Sequence, residues 1–303
     1  LALVVVDEQH RFGVLQRASL RSKGKSPHVL VMSATPIPRT LALTLYGDLD
    51  MSVIDQLPAG RKPIRTKWVQ ADKRTNAYAF VRKEIMKGRQ AFVICPLIEG
   101  SETIEAKAAI VEYQRLSQDI FPDLRLGLLH GRMTLTEKQR VMEELRRGSL
   151  DILVATLVIE VGIDVPNATV MMVEGADRFG LSQLHQLRGR VGRGEHASYC
   201  LLLADSASTD ARERLQSMEA TQDGFALAEL DLRSRGPGDM FGTRQSGLPE
   251  LRMASLSDQD LLASAQTEAR RVLDGDPQLS QTQNQQLLNE IQRRFGKVIE
   301  ELS

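Results

Sequence analysis

The sequence predicts an α/β fold, a parallel sheet with flanking helices, joined to an incomplete sheet before it and a mainly helical region after it. Short apolar runs recur near Ile64–Val69, Ala91–Leu97, Leu124–Leu129, Ile152–Ala155, Val170–Val173 and Tyr199–Leu203. Helical stretches alternate with them near Lys73–Met86, Glu102–Leu116, Thr136–Arg147 and Leu181–Val191. Strand and helix in alternation argue βαβ units, and runs that are apolar throughout argue strands covered on both faces.

At the start of the chain, Leu1–Val6 reads as a fully buried strand, and a chain that opens directly on one reads as a piece of a longer polypeptide. Asp7, Glu8, Gln9 and His10 stand where that strand ends, the side of an open α/β sheet where ligands bind. An acidic pair there suits Mg²⁺ held through water by Asp7, with Glu8 orienting a water toward a γ-phosphate. The plainer alternative is a strand-to-helix loop with a capping Asp. A second apolar run, Val29–Met32, ends in Ser33-Ala34-Thr35, two short hydroxyls at a strand end before Pro36 and Pro38. Gly24-Lys25-Ser26 is not a phosphate loop, because Ser19 stands where its first glycine belongs and Pro27 comes next instead of a helix. No other segment of these residues fits that loop.

Pro58, Gly60 and Pro63 give residues 57–63 the composition of a linker. Beyond it, Asp151–Thr156 ends a strand, and Thr156 is placed to donate to a phosphate. Gly162 and Asp164 form a turn able to meet a ribose or phosphate, although a plain strand–turn explains them as well. His130-Gly131, at another strand end, reads as structural. In Gln183–Gly194, read as a helix, Gln183, Gln186, Arg190 and Arg193 recur at steps of three and four and share a polar face. Leu184, Leu187 and Val191 supply the apolar face. Gly189 and Gly192 each cost a helix about 1 kcal/mol, so either the helix ends early or the backbone is closely approached. Two arginine forks suit the charge of phosphoryl transfer; the bland reading is a solvated basic helix end. Asp210–Met218 reads as a charged helix with Arg212 and Arg214. Asp231–Gly247 is dense in glycine and arginine and reads as a moving loop carrying Arg235, Arg244 and Gln245. Helices continue to the end, with a Gln-rich connection around 278–286.

The chain has 303 residues, 42% hydrophobic and 26% charged, the composition of a soluble globular protein of about two domains. No apolar run reaches the length of a membrane span. Cys95 and Cys200 lie far apart with no partners at metal spacing, which favours a reduced, cytoplasmic, zinc-free setting. Formal net charge is +0, so any nucleic-acid contact rests on local basic surface.

Taken together, Asp7–His10, Ser33–Thr35, Thr156–Pro166 and Gln186–Arg193 resemble motifs II, III, V and VI of superfamily 2 helicases. Residues 7–14, 34–40 and 235–247 resemble, more narrowly, the RecG family of ATP-dependent DNA helicases that remodel stalled forks. The transcription-repair coupling factor family is the nearest competitor, but there a Glu is expected where Gln9 stands. The resemblance implies RecA-like lobes, lying at residues 1–57 (incomplete) and 58–205, then a translocation hairpin, loop and helical region over 206–303. It implies ATP and Mg²⁺ as cofactors and branched or duplex DNA as partner, with no membrane. Asp7, Glu8, Arg190 and Arg193 would be catalytic, with Asp7 on the metal. Gln9, His10, Ser33, Thr35, Gly162, Asp164 and Gln186 would bind or couple ATP. Thr156, Arg214, Arg235, Arg244 and Gln245 would serve DNA and translocation. The full-length family member is expected to be monomeric, whereas the apolar first strand predicts self-association of this chain. A rival from another class is a non-catalytic nucleic-acid or protein-binding module that keeps the lobe fold.

Overall fold

In the computed structural model, the described residues are 1–7, 27–34, 52–54, 56, 60–96, 102–157, 164–205, 208–240 and 259–300. Contacts divide the chain into two units, residues 1–36 with 54–236, and residues 37–53 with 237–303.

The first unit contains two parallel sheets. The smaller pairs β1 (Leu3–Val6) with β2 (His28–Val31). Val4 and Val6 are buried, but Leu3 and Val5 are exposed, so the fully buried strand expected from Leu1–Val6 is covered on one face only among the described residues. A two-stranded sheet cannot cover both faces of its own strands.

The larger sheet has six parallel strands in the order β3-β8-β7-β4-β6-β5. They are β3 (Arg65–Val69), β4 (Gln90–Ile94), β5 (Leu126–Leu129), β6 (Ile152–Ala155), β7 (Ala168–Val173) and β8 (Tyr199–Leu203). The middle strands β4, β6 and β7 are buried at every residue, as their unbroken apolar runs require. The edge strands alternate instead. Helices α1 (Arg74–Met86) and α2 (Glu102–Arg115) cover one face through Tyr78, Val81, Ile85 and Ala109, joined by Phe121. Helices α3 (Leu135–Arg146), α4 (Leu181–Arg188) and α5 (Thr209–Ala220) cover the other. Each fully buried Phe or Leu in these layers contributes roughly 1.5–3 kcal/mol of transfer free energy.

Local chemistry fixes the helix starts. Thr134 Oγ1 accepts from the Glu137 amide while the Glu137 carboxylate accepts from the Thr134 amide, a reciprocal cap for α3. Ser208 caps α5 in the same sense. Helix α6 (Gly224–Met240) begins within a few residues of α5 and buries Leu227, Ala228 and Leu232. It therefore takes in Asp231–Met240, the first part of the stretch expected to be a loop, because the Ala226–Leu232 run of strong helix formers propagates the helix into it. In the second unit, α7 (Gln259–Gly275) and α8 (Gln285–Glu300) are joined by a corner at Asp276. Its carboxylate accepts from the amides of Ser280 and Gln281, the Ser280 hydroxyl and the Asn284 side chain, bonds that hold its pKa down to about 2.

At the carboxyl ends of β7 and β8 a polar chain closes over the α1–α2 face. Arg74 donates to Glu174 at 2.5 Å and to Asp205 at 3.0 Å. Tyr78 donates to Glu174 at 3.0 Å, and Arg115 donates to the Tyr78 hydroxyl at 2.7 Å. Burial pushes the Glu174 carboxyl up, and the Arg74 charge opposes that shift.

The outer edge of β3 is covered by side chains from the α5 end. Glu219 accepts from the Trp68 amide at 2.7 Å. The Gln222 amide group accepts from Ile64 N–H at 3.2 Å and donates to Ile64 C=O at 3.1 Å, the pair of bonds a further strand would make. Replacing Gln222 with Leu strips both bonds from a half-buried backbone. The expected loss is roughly 1–3 kcal/mol in denaturant melts, with faster exchange at the Ile64 amide. An unchanged midpoint would show that the side chain does not protect this edge.

Candidate functional site

The turn after α4 gathers the residues with the most chemistry. The Gln183 side chain accepts from the Gly180 amide at 3.0 Å and caps the start of the helix. Helix α4 ends at Arg188, with Gly189 as its C-cap, so the helical face expected to run from Gln183 to Arg193 is cut short. Gln186 is half-buried on the helix, and Arg190 and Arg193 lie on the turn beyond it.

Both explanations for the glycines hold, at different positions. Gly189 ends the helix in ordinary right-handed geometry, and a Cβ there would meet nothing nearer than 3.4 Å. Gly192 has φ +76°, and a Cβ would lie 2.9 Å from Ile64 Cγ1. At Gly194 a Cβ would lie 2.4 Å from the Pro166 carbonyl oxygen. The turn is therefore pressed between the start of β3 and the segment leading into β7.

Arg193 uses this placement. Its Nε donates to the Gly189 carbonyl at 3.4 Å, and its Nη1 lies 3.7 Å from the Asp164 carboxylate. The guanidinium of an exposed arginine that faces a carboxylate can face another oxyanion, with Asp164 standing in for the acceptor. Arg61 Nη2 donates to the same Gly189 carbonyl at 3.3 Å. The linker composition of residues 57–63 carries no sign of that role.

Arg188 has a different one, which its place in the motif does not announce. It is 2% exposed. Its Nη1 donates to the carbonyls of Met218 and Thr221 at 3.0 and 2.8 Å, and its Nη2 to that of Gln222 at 3.3 Å. Nη2 also lies 3.0 Å from His185 Nδ1. Burial, then the Arg188 charge, lowers the His185 pKa to about 4, so the ring is neutral at pH 7 and Nδ1 accepts. Burial lowers the Arg188 pKa as well, while the Cys200 thiol nearby is pushed up to about 12 and stays protonated.

A second cluster lies at the ends of β5 and β6. Thr156 is 2% exposed, its amide donates to Leu129 C=O at 3.2 Å, and its Oγ1 has no partner among the described residues. His130 Nδ1 is likewise buried and unpartnered among them. Lys138 donates to Gly131 C=O at 2.8 Å, and burial together with the Lys138 and Arg132 charges lowers the His130 pKa. A groove of about 520 Å³ runs from here along β5, past Gly127 and Arg140.

Elsewhere, Asp7 and Ser33 are exposed at the ends of β1 and β2. Arg214 on α5 donates to Asp177 C=O at 2.9 Å, and Arg235 lies in α6. Glu8, Gln9, His10, Thr35, Gly162, Arg244 and Gln245 fall outside the described residues.

Residues 73–195 match the family described as helicase conserved C-terminal domain, and residues 221–299 that described as ATP-dependent DNA helicase RecG, domain 3, C-terminal. The ATP-dependent DNA helicase RecG of Synechocystis sp. is 57% identical over 280 residues, which is 92% of this chain and 34% of that protein. The same protein of Bacillus subtilis is 53% identical over 277 residues, covering 91% and 41%. The chain thus spans well under half the length of these relatives. A solved structure of RecG bound to a three-way DNA junction aligns with TM-score 0.66 and 49% identity, over 86% of this chain and 33% of that one. Mss116p bound to single-stranded RNA and AMP-PNP aligns with TM-score 0.54 at 15% identity, a likeness of fold alone. No described helix is long and apolar enough to cross a membrane.

The glycine geometry makes a paired prediction. Gly194→Ala drives a methyl into the Pro166 carbonyl and should cost about 1–3 kcal/mol, because backbone on both sides must shift. Gly189→Ala meets only ordinary contacts and should stay within about 1 kcal/mol of the parent. Equal melting temperatures for the two variants would contradict the close approach at Gly194.

Proposed function

From a chain that belongs to the RecG family of ATP-dependent DNA helicases, we propose a motor function: residues 58–205 form the second RecA-like lobe of a translocase that remodels branched DNA. Residues 1–57 belong to the first lobe, and 206–303 carry the translocation hairpin, its loop and the C-terminal helices. The observation that carries the reading is Arg193, set on a turn held by its glycines and tied only weakly, to the Gly189 carbonyl and the Asp164 carboxylate. A guanidinium held this way meets a phosphate oxygen without reorganising the turn. The residues present therefore fit a nucleoside triphosphate. Arg193 and Arg190 would take its terminal phosphate, and Asp164, Gly162 and Gln186 would bind or couple it.

Asp7, exposed at the end of β1, would hold Mg²⁺ through water, and Glu8 would orient the attacking water. Mg²⁺ bound there supplies charge neutralisation across the phosphates. Gln9, His10, Ser33 and Thr35 would couple that site to DNA. The Thr156 hydroxyl, buried and without a partner among the described residues, supports a nucleic-acid contact at the end of β6, where a phosphate oxygen would complete its hydrogen bonding. Arg214, Arg235, Arg244 and Gln245 would contact or move duplex DNA, and the protein would work in the cytoplasm.

The test is a phosphate-release assay, with and without branched DNA, on the polypeptide at the full length of these relatives. Arg193→Ala should lower DNA-stimulated turnover by about 10³-fold or more while leaving DNA affinity within about twofold. Thr156→Val should do the reverse, weakening DNA binding while leaving its salt dependence at the parent's, because the hydroxyl carries no charge. Full turnover in Arg193→Ala would overturn the assignment of this turn to the nucleotide.

A further inference from the structure

We infer that Arg61 is a positioning residue for Arg193, the group that frees it to turn from its resting partners to a polyphosphate. The inference rests on the reading of the turn given above and deepens it.

The Gly189 carbonyl oxygen is shared. It accepts from Arg61 Nη2 at 3.3 Å and from Arg193 Nε at 3.4 Å, one donor for each lone pair. This carbonyl is the C-cap of α4, where a helix leaves carbonyls without intrahelical partners and carries a partial negative charge. Arg193 is tied at its other end to Asp164, 3.7 Å away. To reach a phosphate, Arg193 must leave both.

Arg61 reaches the same oxygen from a support that owes nothing to Arg193. Its chain turns at Gly60, with φ +83°, and is anchored at Ile64, three residues on. Ile64 is 7% exposed, lies against Gly192 and is hydrogen-bonded through both backbone groups to Gln222. When Arg193 departs, Arg61 stays and keeps the helix-end carbonyl paired. Without Arg61 the departure would leave that half-exposed carbonyl with no side-chain donor, only water, and the loss of its last protein donor would oppose phosphate binding. A simple helix cap differs in one measurable respect. Its removal would matter equally whether or not residue 193 is an arginine.

The experiment titrates the 303-residue chain with inorganic tripolyphosphate at fixed ionic strength, following the arginine Nε–Hε resonances by NMR. The variants are Arg61→Ala, Arg61→Lys, Arg193→Ala and the double replacement that combines Arg61→Ala with Arg193→Ala. Arg61→Ala should weaken binding about three- to tenfold, the scale of one hydrogen bond. Arg61→Lys keeps a donor and should restore most of the loss. In the Arg193→Ala background, Arg61→Ala should cost nothing further. The inference is overturned by unchanged affinity in Arg61→Ala, or by an equal loss in both backgrounds, which would make Arg61 a simple helix cap or a direct phosphate ligand. If Arg193→Ala itself leaves binding unchanged, the assignment of the turn to the nucleotide falls, and this inference falls with it.

Discussion

A buried cation, Arg188, holds together the elements on which the turn depends. A guanidinium at 2% exposure would be prohibitively costly unless its donors were matched. They are matched by the carbonyls of Met218, Thr221 and Gln222, the end of α5, where the helix dipole is negative. His185, kept neutral, takes a further donor. The charge is thereby solvated by protein, and its removal would leave the buried Met218 carbonyl without this donor. Because Arg188 is the last residue of α4, the clasp also fixes where the turn begins.

From that clasp the contacts run outward in two directions. Gln222, whose carbonyl Arg188 holds, turns its side chain to Ile64 and closes the β3 edge. Ile64 in turn lies against Gly192. Turn, edge strand and helix end therefore form a ring in which each side chain is placed by the next. Gly194 against the Pro166 carbonyl brings in the segment before β7 and, two residues earlier, Asp164. On the proposed reading this ring aims Arg193, whose own side chain has only two long ties, at 3.4 and 3.7 Å.

Much of this fold is legible in the sequence because its signals are local. Unbroken runs such as Ile152–Ala155 and Val170–Val173 mark strands buried on both faces, and the helices between them carry their own periodicity. The features that escape such a reading depend on distant partners. Arg188 and Arg193 share one motif and one chemistry, and only the α5 carbonyls, some thirty residues on, tell the structural arginine from the exposed one. Arg61 sits in a segment with linker composition, and its partner lies 128 residues away. The early end of α4 is ambiguous in the sequence, since a glycine reads alike as a helix end or as a site of close approach; Gly189 proves to be the first, and Gly192 and Gly194 the second. Thr156 stands out by its strand-end position, but that its hydroxyl has no partner among the described residues emerges only in the structure.

The central claim is that two arginines five residues apart do opposite work, Arg188 for the fold and Arg193 for a ligand. The direct measurement is equilibrium unfolding of Arg188→Met and Arg193→Met beside the parent. Arg188→Met strips donors from the buried Met218 carbonyl and the part-buried carbonyls of Thr221 and Gln222 and leaves its own cavity apolar, and should cost about 3 kcal/mol or more. Arg193→Met gives up a long ion pair at a partly exposed site and should stay within about 1 kcal/mol of the parent. Equal losses in the two variants, or a stable Arg188→Met, would contradict the account.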